Sequence, residues 1–126
     1  MSGVAYDAGA LVAAERNDRS LWSDHRVRLE AGVVPVVPAP VVAQVSRSPR
    51  QAQLRRLLRG CEVRALDELT AHAVGRLLGR SGKTDIVDAT VVIMAIAQQA
   101  QVVTGDRDDI SHLVNAAGAR LVIVDA

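Results

Sequence analysis

The chain has 126 residues, 49% of them apolar and 23% charged, the balance of one ordinary globular domain spanning 1–126. That composition excludes a disordered tail, a collagen-like fibre and a coiled coil. A net charge of +1 and two aromatic side chains, Tyr6 and Trp22, supply neither the basic field nor the stacking platform of an obvious nucleic-acid binder.

A single cysteine, Cys61, cannot form an internal disulfide. The longest apolar run, residues 89–97, is far below the roughly 20 residues of a membrane span. No basic and then apolar start reads as a signal peptide, so the expected compartment is the cytoplasm, with no membrane partner. The core has to be built from Val, Leu, Ile and Ala. Nearly all the cations are arginine, with Lys83 the exception, and no function follows from that bias alone.

In chain order, Val-rich runs predict strands over residues 4–6, 33–37, 61–66, 102–104 and 121–124. Helices are expected between them. The first two cover 8–17 and 21–31, the latter closed by Gly32. A short helix over 40–46 follows, then one opened by Pro49 that runs to 58 and stops at Gly60. Asp67 is a good N-cap for 68–79. Thr84 or Asp85 begins a long helix to about Gln99, and Asp108 or Asp109 begins one that ends before Gly118. Continuous rather than alternating apolar strands suit a sheet covered on both faces. The expected fold is therefore α/β: a three-layer α/β/α sandwich around a mostly parallel central sheet of about five strands.

In such sheets, sites form beyond the carboxyl ends of the strands, and here those places hold aspartates. Asp7 is the first residue after the opening strand, Asp106 and Asp109 follow the fourth, and Asp85 and Asp88 open the long helix three residues apart. The groups converge if the first and fourth strands are neighbours. Crowded carboxylates repel, and a divalent cation is the usual remedy. Oxygen-only ligation favours Mg²⁺ or Mn²⁺ over zinc, and His25, His72 and His112 have no metal-ligand spacing.

Each acid also has a structural reading. Asp85 is a natural N-cap, Asp109 a first-turn partner of the helix dipole, and Asp106 an ordinary turn residue. Asp88 and Asp7 are harder to explain that way. Asp88 stands at the mouth of a helix apolar on nearly every side, where a carboxylate is costly unless a cation or donor meets it.

The segments Asp7-Ala8-Gly9-Ala10-Leu11, Asp88-Ala89 and Thr104-Gly105-Asp106-Arg107-Asp108-Asp109, in this order along the whole chain, resemble a PIN-domain ribonuclease of the VapC toxin type from bacterial toxin–antitoxin pairs. The resemblance implies an endoribonuclease that uses Mg²⁺ or Mn²⁺ to cut single-stranded or loop RNA, leaving a 5′-phosphate and a 3′-hydroxyl. It matches Asp7, Asp88 and Asp106 to the catalytic, metal-holding aspartates, Asp109 to a further acid near them, and Thr104 to a small hydroxyl residue before the last motif. It also implies a homodimer and a cognate small antitoxin protein whose C-terminal segment blocks the acidic pocket.

One position departs from the family. A glutamate is usual on the helix after the second strand, but Pro38-Ala39-Pro40-Val41-Val42-Ala43 leads here to Gln44. An amide oxygen can ligate a hard cation or hold its water, but it brings no charge. Gln44 and Asp85 therefore stand as additional candidate ligands, with a plain solvated residue as the other reading of Gln44. An RNA- or antitoxin-binding module with weak or no catalysis is the alternative function.

The arginines Arg47, Arg50, Arg55, Arg56 and Arg59 follow without an intervening acid. They are either an RNA-phosphate contact or a solvated helix face. Cys61 reads as a packed thiol and Trp22 as core or dimer contact. A receiver-like signalling domain would need paired acids after the first strand and a phosphoacceptor after the third, whereas Asp7 stands alone and Asp67 reads as a cap.

Overall fold

The computed structural model describes residues 3–126. Its elements are β1 (Val4–Tyr6), α1 (Ala8–Glu15), α2 (Arg19–Glu30), β2 (Val36–Pro38), α3 (Ala39–Val45), α4 (Ala52–Arg59), β3 (Glu62–Arg64), α5 (Glu68–Ser81), α6 (Ile86–Gln98), β4 (Gln101–Thr104), α7 (Arg107–Ala116) and β5 (Ile123–Asp125). The strands form one sheet in the order β3-β2-β1-β4-β5, and every pairing is parallel. This is the expected α/β fold with its five strands.

Strand order fixes where a site can form. Right-handed crossovers place the connections β1→β2→β3 on one face and β3→β4→β5 on the other. The packing agrees: α1 lies against α2, α3 and α4, whereas α5, α6 and α7 pack on one another. The chain therefore leaves β1 and β4, which pair side by side through Ala5 and Val102, toward opposite faces. A crevice opens between their carboxyl ends.

The core is aliphatic, as the composition requires, with Tyr6, Leu11, Leu54, Leu57, Leu77, Ile110 and Leu113 among its fully buried side chains. Helix α6 is the most enclosed helix. Ala89, Val91, Val92 and Ala95 have no exposed surface, and the buried Thr90 hydroxyl donates to Ile86 O at 2.7 Å. Among the described residues, no helix is long and apolar enough to cross a membrane.

Of the boundaries that differ from those the sequence predicts, three do so for identifiable reasons. The second strand begins at Val36 rather than Val33, because the end of α2 claims Val33. Gly32, at φ 80°, donates to Leu29 O, and Val33 N–H donates to Arg28 O at 2.9 Å, a Schellman closure. Pro49 does not open α4. Residues 46–51 form a turn in which Gln51 Oε1 accepts from Arg47 N and Ser48 N, and Glu15 of α1 accepts from Leu54 N at 2.7 Å in the first turn of α4. The last long helix is capped by Asp106, two or three residues earlier than expected, with Asp108 and Asp109 in its first turn.

Candidate metal centre

The crevice between β1 and β4 is an open cleft of about 260 Å³ lined by Asp7, Ala8, Gly9, Gln44, Asp85, Asp88, Gly105 and Asp106. A larger depression of about 430 Å³, lined by Ile96, Arg120 and Val122 among others, holds no acid. Charge rather than volume sets the cleft apart.

Its base is a backbone contact that two glycines permit. A Cβ on Gly9 would fall 2.5 Å from Gly105 Cα, and one on Gly105 would fall 3.0 Å from Gly9 Cα. The start of α1 therefore abuts the β4–α7 turn directly, and Asp7 meets Thr104 and Gly105 across that contact. Asp7 is 3% exposed. Its Oδ1 accepts from Ala10 N at 3.2 Å, capping α1, and from Gly105 N at 3.3 Å, while its Oδ2 accepts from the Thr104 hydroxyl. The Thr104 oxygen in turn accepts from Asp106 N at 2.8 Å. Burial raises the Asp7 pKa, and the hydrogen bonds from Thr104, Ala10 and Gly105 oppose that rise.

Around this latch sit Asp88, Asp106 and Asp109, each offering a carboxylate oxygen, all within 4.8 Å of one another. It is the one such acidic or histidine-containing group among the described residues. Asp85 and Asp106 are also helix caps. Asp85 Oδ1 accepts from Asp88 N at 3.0 Å, and Asp106 Oδ1 accepts from Asp109 N at 3.3 Å. These bonds orient the first turns of α6 and α7 so that Asp88 and Asp109 project toward Asp106.

The electrostatics are uneven. Burial pushes the Asp88 carboxyl up to about 6, with the carboxylates of Asp85, Asp7, Asp106 and Asp109 adding repulsion. Asp109 is shifted the other way, mainly by a hydrogen bond from Lys83, whose Nζ lies 3.0 Å from Oδ1. Three carboxylate oxygens at this spacing, one of them crowded enough to resist ionising, fit a hard divalent ion with oxygen ligands.

The expected residues are therefore distributed as follows. Asp88, Asp106 and Asp109 gather. Asp7 and Asp85 line the same cleft, Asp7 with both oxygens already hydrogen-bonded. Thr104 bridges Asp7 and Asp106, its hydroxyl donating to the Asp7 carboxylate and accepting from Asp106 N–H, without meeting any of the three gathered carboxylates. Gln44 does line the cleft, and with Ala8 it also borders a hollow of about 400 Å³ lined by Val12, Glu15, Arg16, Val45 and Gln51.

None of Arg47, Arg50, Arg55 and Arg56 lines the cleft. Arg47 donates to Ala43 O and Ser46 O at the end of α3, Arg50 N donates to Ser48 Oγ, and Arg55 donates to Pro49 O. Arg56 lies 4.2 Å above the Trp22 ring. Trp22 itself packs on the core, its indole N–H donating to Ala14 O at 3.1 Å. Burial raises the Cys61 thiol to about 12, as befits packing rather than nucleophilic chemistry. Asp67 is an exposed cap that accepts from Thr70 N at 2.8 Å.

Two features escaped the sequence reading. Lys83 reaches the cluster, and its being the single lysine was the available signal. Behind the sheet, Tyr6 O–H bonds His25 Nδ1 at 2.8 Å and accepts from Arg28 Nη1 at 3.1 Å, all three side chains being buried. No local pattern announces that cluster.

No protein-family model matches the chain, and no curated protein is similar enough in sequence to count as a relative. Solved structures do resemble it. The VapBC2 pair from Rickettsia felis, solved on a DNA fragment from their promoter, includes a chain that superposes with a TM-score of 0.74 at 18% identity, covering 98% of both chains. PAE2754 from Pyrobaculum aerophilum superposes at 0.65 with 19% identity over 98% of this chain and 90% of that one. A chain of FitAB, bound to an IR36 DNA fragment, gives 0.61 at 10% identity over 97% and 94%. At these identities the likeness establishes a shared fold.

Proposed function

We propose that the chain is a Mg²⁺- or Mn²⁺-dependent endoribonuclease of the PIN-domain, VapC type, acting as the toxin of a toxin–antitoxin pair. The observation that carries this reading is the gathering of Asp88, Asp106 and Asp109 within 4.8 Å at the crevice between β1 and β4. The sequence resemblance and the likeness to toxin–antitoxin folds support it.

In this reading Asp88, Asp106 and Asp109 would hold the ion, with Asp7 behind them and Gln44 and Asp85 at the rim. When bound, the ion would polarise a phosphodiester and make water a better nucleophile. The chain's own residues have distinct tasks. Asp7 and Thr104 lock α1 against the β4–α7 turn and so fix Asp106. The Asp85 cap fixes the rotation of Asp88. The hollow beyond Gln44 continues from the cleft and offers Arg16 as a cation for an RNA strand, alongside Arg47 and Arg50 farther along the surface. The partners in this reading are an RNA substrate, a small antitoxin and a second copy of the chain as a homodimer.

Purified protein incubated with a broad panel of structured RNAs should cut them in Mn²⁺ and stop on addition of EDTA, and Asp88→Asn should remove the activity. Metal-independent cutting, or none across the panel, would contradict a metal-dependent ribonuclease.

One observation favours a second reading, a binding module with weak or no catalysis. Gln44 faces the cleft, so a neutral amide stands where a carboxylate would strengthen the hold on a cation. RNA retained without cleavage in saturating Mn²⁺ would select that reading.

A further inference from the structure

Lys83 is the one lysine among fifteen lysines and arginines. Its ammonium donates to Asp109 Oδ1 at 3.0 Å, and Asp109 is one of the three gathered carboxylates. One corner of the acidic cluster therefore already holds a cation supplied by the chain itself.

The backbone under Lys83 is fixed from two sides. Gly82, at φ 72°, closes α5 by donating to Leu78 O at 3.0 Å, and Lys83 N–H donates to Ser81 Oγ at 3.1 Å. Across the gap, His112 Nε2 of α7 donates to Ser81 O at 2.9 Å. That bond ties the last residue of α5, two positions before Lys83, to the helix that carries Asp109. The ammonium is thus brought to its carboxylate by the fold.

The residue type matters as much as the place. An arginine fork grips a carboxylate at two points, whereas an ammonium on a flexible stem makes a point contact and lets go more readily. Both charges of the pair are 39–44% exposed, so the contact itself adds little to folding stability. A divalent ion among Asp88, Asp106 and Asp109 would meet the same carboxylate with twice the charge and would repel the ammonium beside it.

Resting on the divalent-ion reading above, we propose that Lys83 is a resident counter-cation of the acidic cluster, holding Asp109 in the metal-free protein and displaced from it when a divalent ion binds. Lys83 is then a positioning residue that sets how tightly the ion is held.

The test is a titration with Mn²⁺ alone, free ion being read by electron paramagnetic resonance. The proteins are wild type, Lys83→Met, Lys83→Gln, Lys83→Arg, Asp109→Asn and Lys83→Met/Asp109→Asn, at low salt and one pH. Removing a unit charge a few ångströms from a divalent ion in a polar cleft should tighten binding about tenfold in Lys83→Met and Lys83→Gln. Lys83→Arg should bind no tighter than wild type. In the Asp109→Asn background the effect of Lys83→Met should shrink below about twofold, because the contact being broken is gone.

An equal tightening with and without Asp109 would reduce Lys83 to a distant contributor to the field and overturn the proposal. So would an unchanged dissociation constant in Lys83→Met while wild type binds Mn²⁺, a result that leaves the metal reading standing. A wild-type protein that binds no Mn²⁺ would overturn both.

Discussion

Tyr6 and Asp7 are adjacent in the chain and begin two polar clusters of opposite character. Tyr6 turns toward α2, where its hydroxyl joins His25 and the buried Arg28 guanidinium, which has no carboxylate partner among the described residues. Asp7 turns toward the crevice, where four more aspartates face one another. In the first cluster each hydrogen bond has a matching donor and acceptor. Tyr6 accepts from Arg28 and donates to His25 Nδ1, which requires the neutral Nε2–H imidazole. Burial raises the Tyr6 hydroxyl to about 12 and lowers the His25 pKa, the latter with help from Arg28 and Arg56, so both stay neutral. In the second cluster like charges accumulate and, among the described residues, only Asp109 has a cation. A polar group placed for stability finds its partners within the chain, whereas one placed for a ligand leaves something unanswered.

The largest stability effect is expected where the satisfied cluster is broken. Tyr6→Phe strips Arg28 of its acceptor and His25 of its donor, and should cost about 1–3 kcal/mol in urea unfolding. Mn²⁺ affinity should be untouched, and a change in affinity would show that the two clusters are coupled through the sheet. In the unsatisfied cluster, Gln44→Glu adds a carboxylate to the rim. It should gain about 1–2 kcal/mol more from saturating Mn²⁺ than wild type does, read as the metal-induced rise in melting temperature, and melt slightly lower without metal. A solvated Gln44 would leave both curves unchanged.

The smallest effect is in pH, and the clusters contribute with opposite signs. Asp88 has a folded pKa of about 6 against an ordinary 3.8. The unfolded chain therefore gives up its proton first, and metal-free stability falls as pH rises from about 4 to 6. The whole shift corresponds to about 3 kcal/mol, which exposure of the group reduces to about 1. His25 has a lowered folded pKa, so its share of the stability is present above pH 6.5 and is lost as pH falls through that value toward the folded pKa. Urea unfolding across pH 4–8 should show the loss of stability on raising pH from 4 to 6 removed in Asp88→Asn, and the His25 loss on lowering pH below 6.5 retained.

Much of this was legible in the sequence because the signals are local. Val-rich runs marked all five strands, Asp67 and Asp85 are the caps they were read to be, and the acids fall at strand ends and helix starts. What escaped reading depends on contacts distant in the chain. The start of α7 could not be chosen among Asp106, Asp108 and Asp109 on local grounds, since each is an acceptable cap. The Thr104 hydroxyl and the Gly9–Gly105 contact select Asp106. The same contact assigns Asp7 to the latch and brings Asp109 into the three-carboxylate group. Lys83 and Asp109 are 26 residues apart, and Arg28 meets Tyr6 across 22. No periodicity encodes either meeting.

An acidic cleft strained by its own charge should be relieved by a divalent ion. Thermal unfolding of wild type and Asp88→Asn, each with and without saturating Mn²⁺, tests this most directly. Without metal, Asp88→Asn should melt at or above wild type, and Mn²⁺ should raise the wild-type melting temperature but leave the variant's nearly unchanged. A metal-free Asp88→Asn that melts well below wild type, with both proteins indifferent to Mn²⁺, would make Asp88 a structural hydrogen-bonding residue rather than a metal ligand.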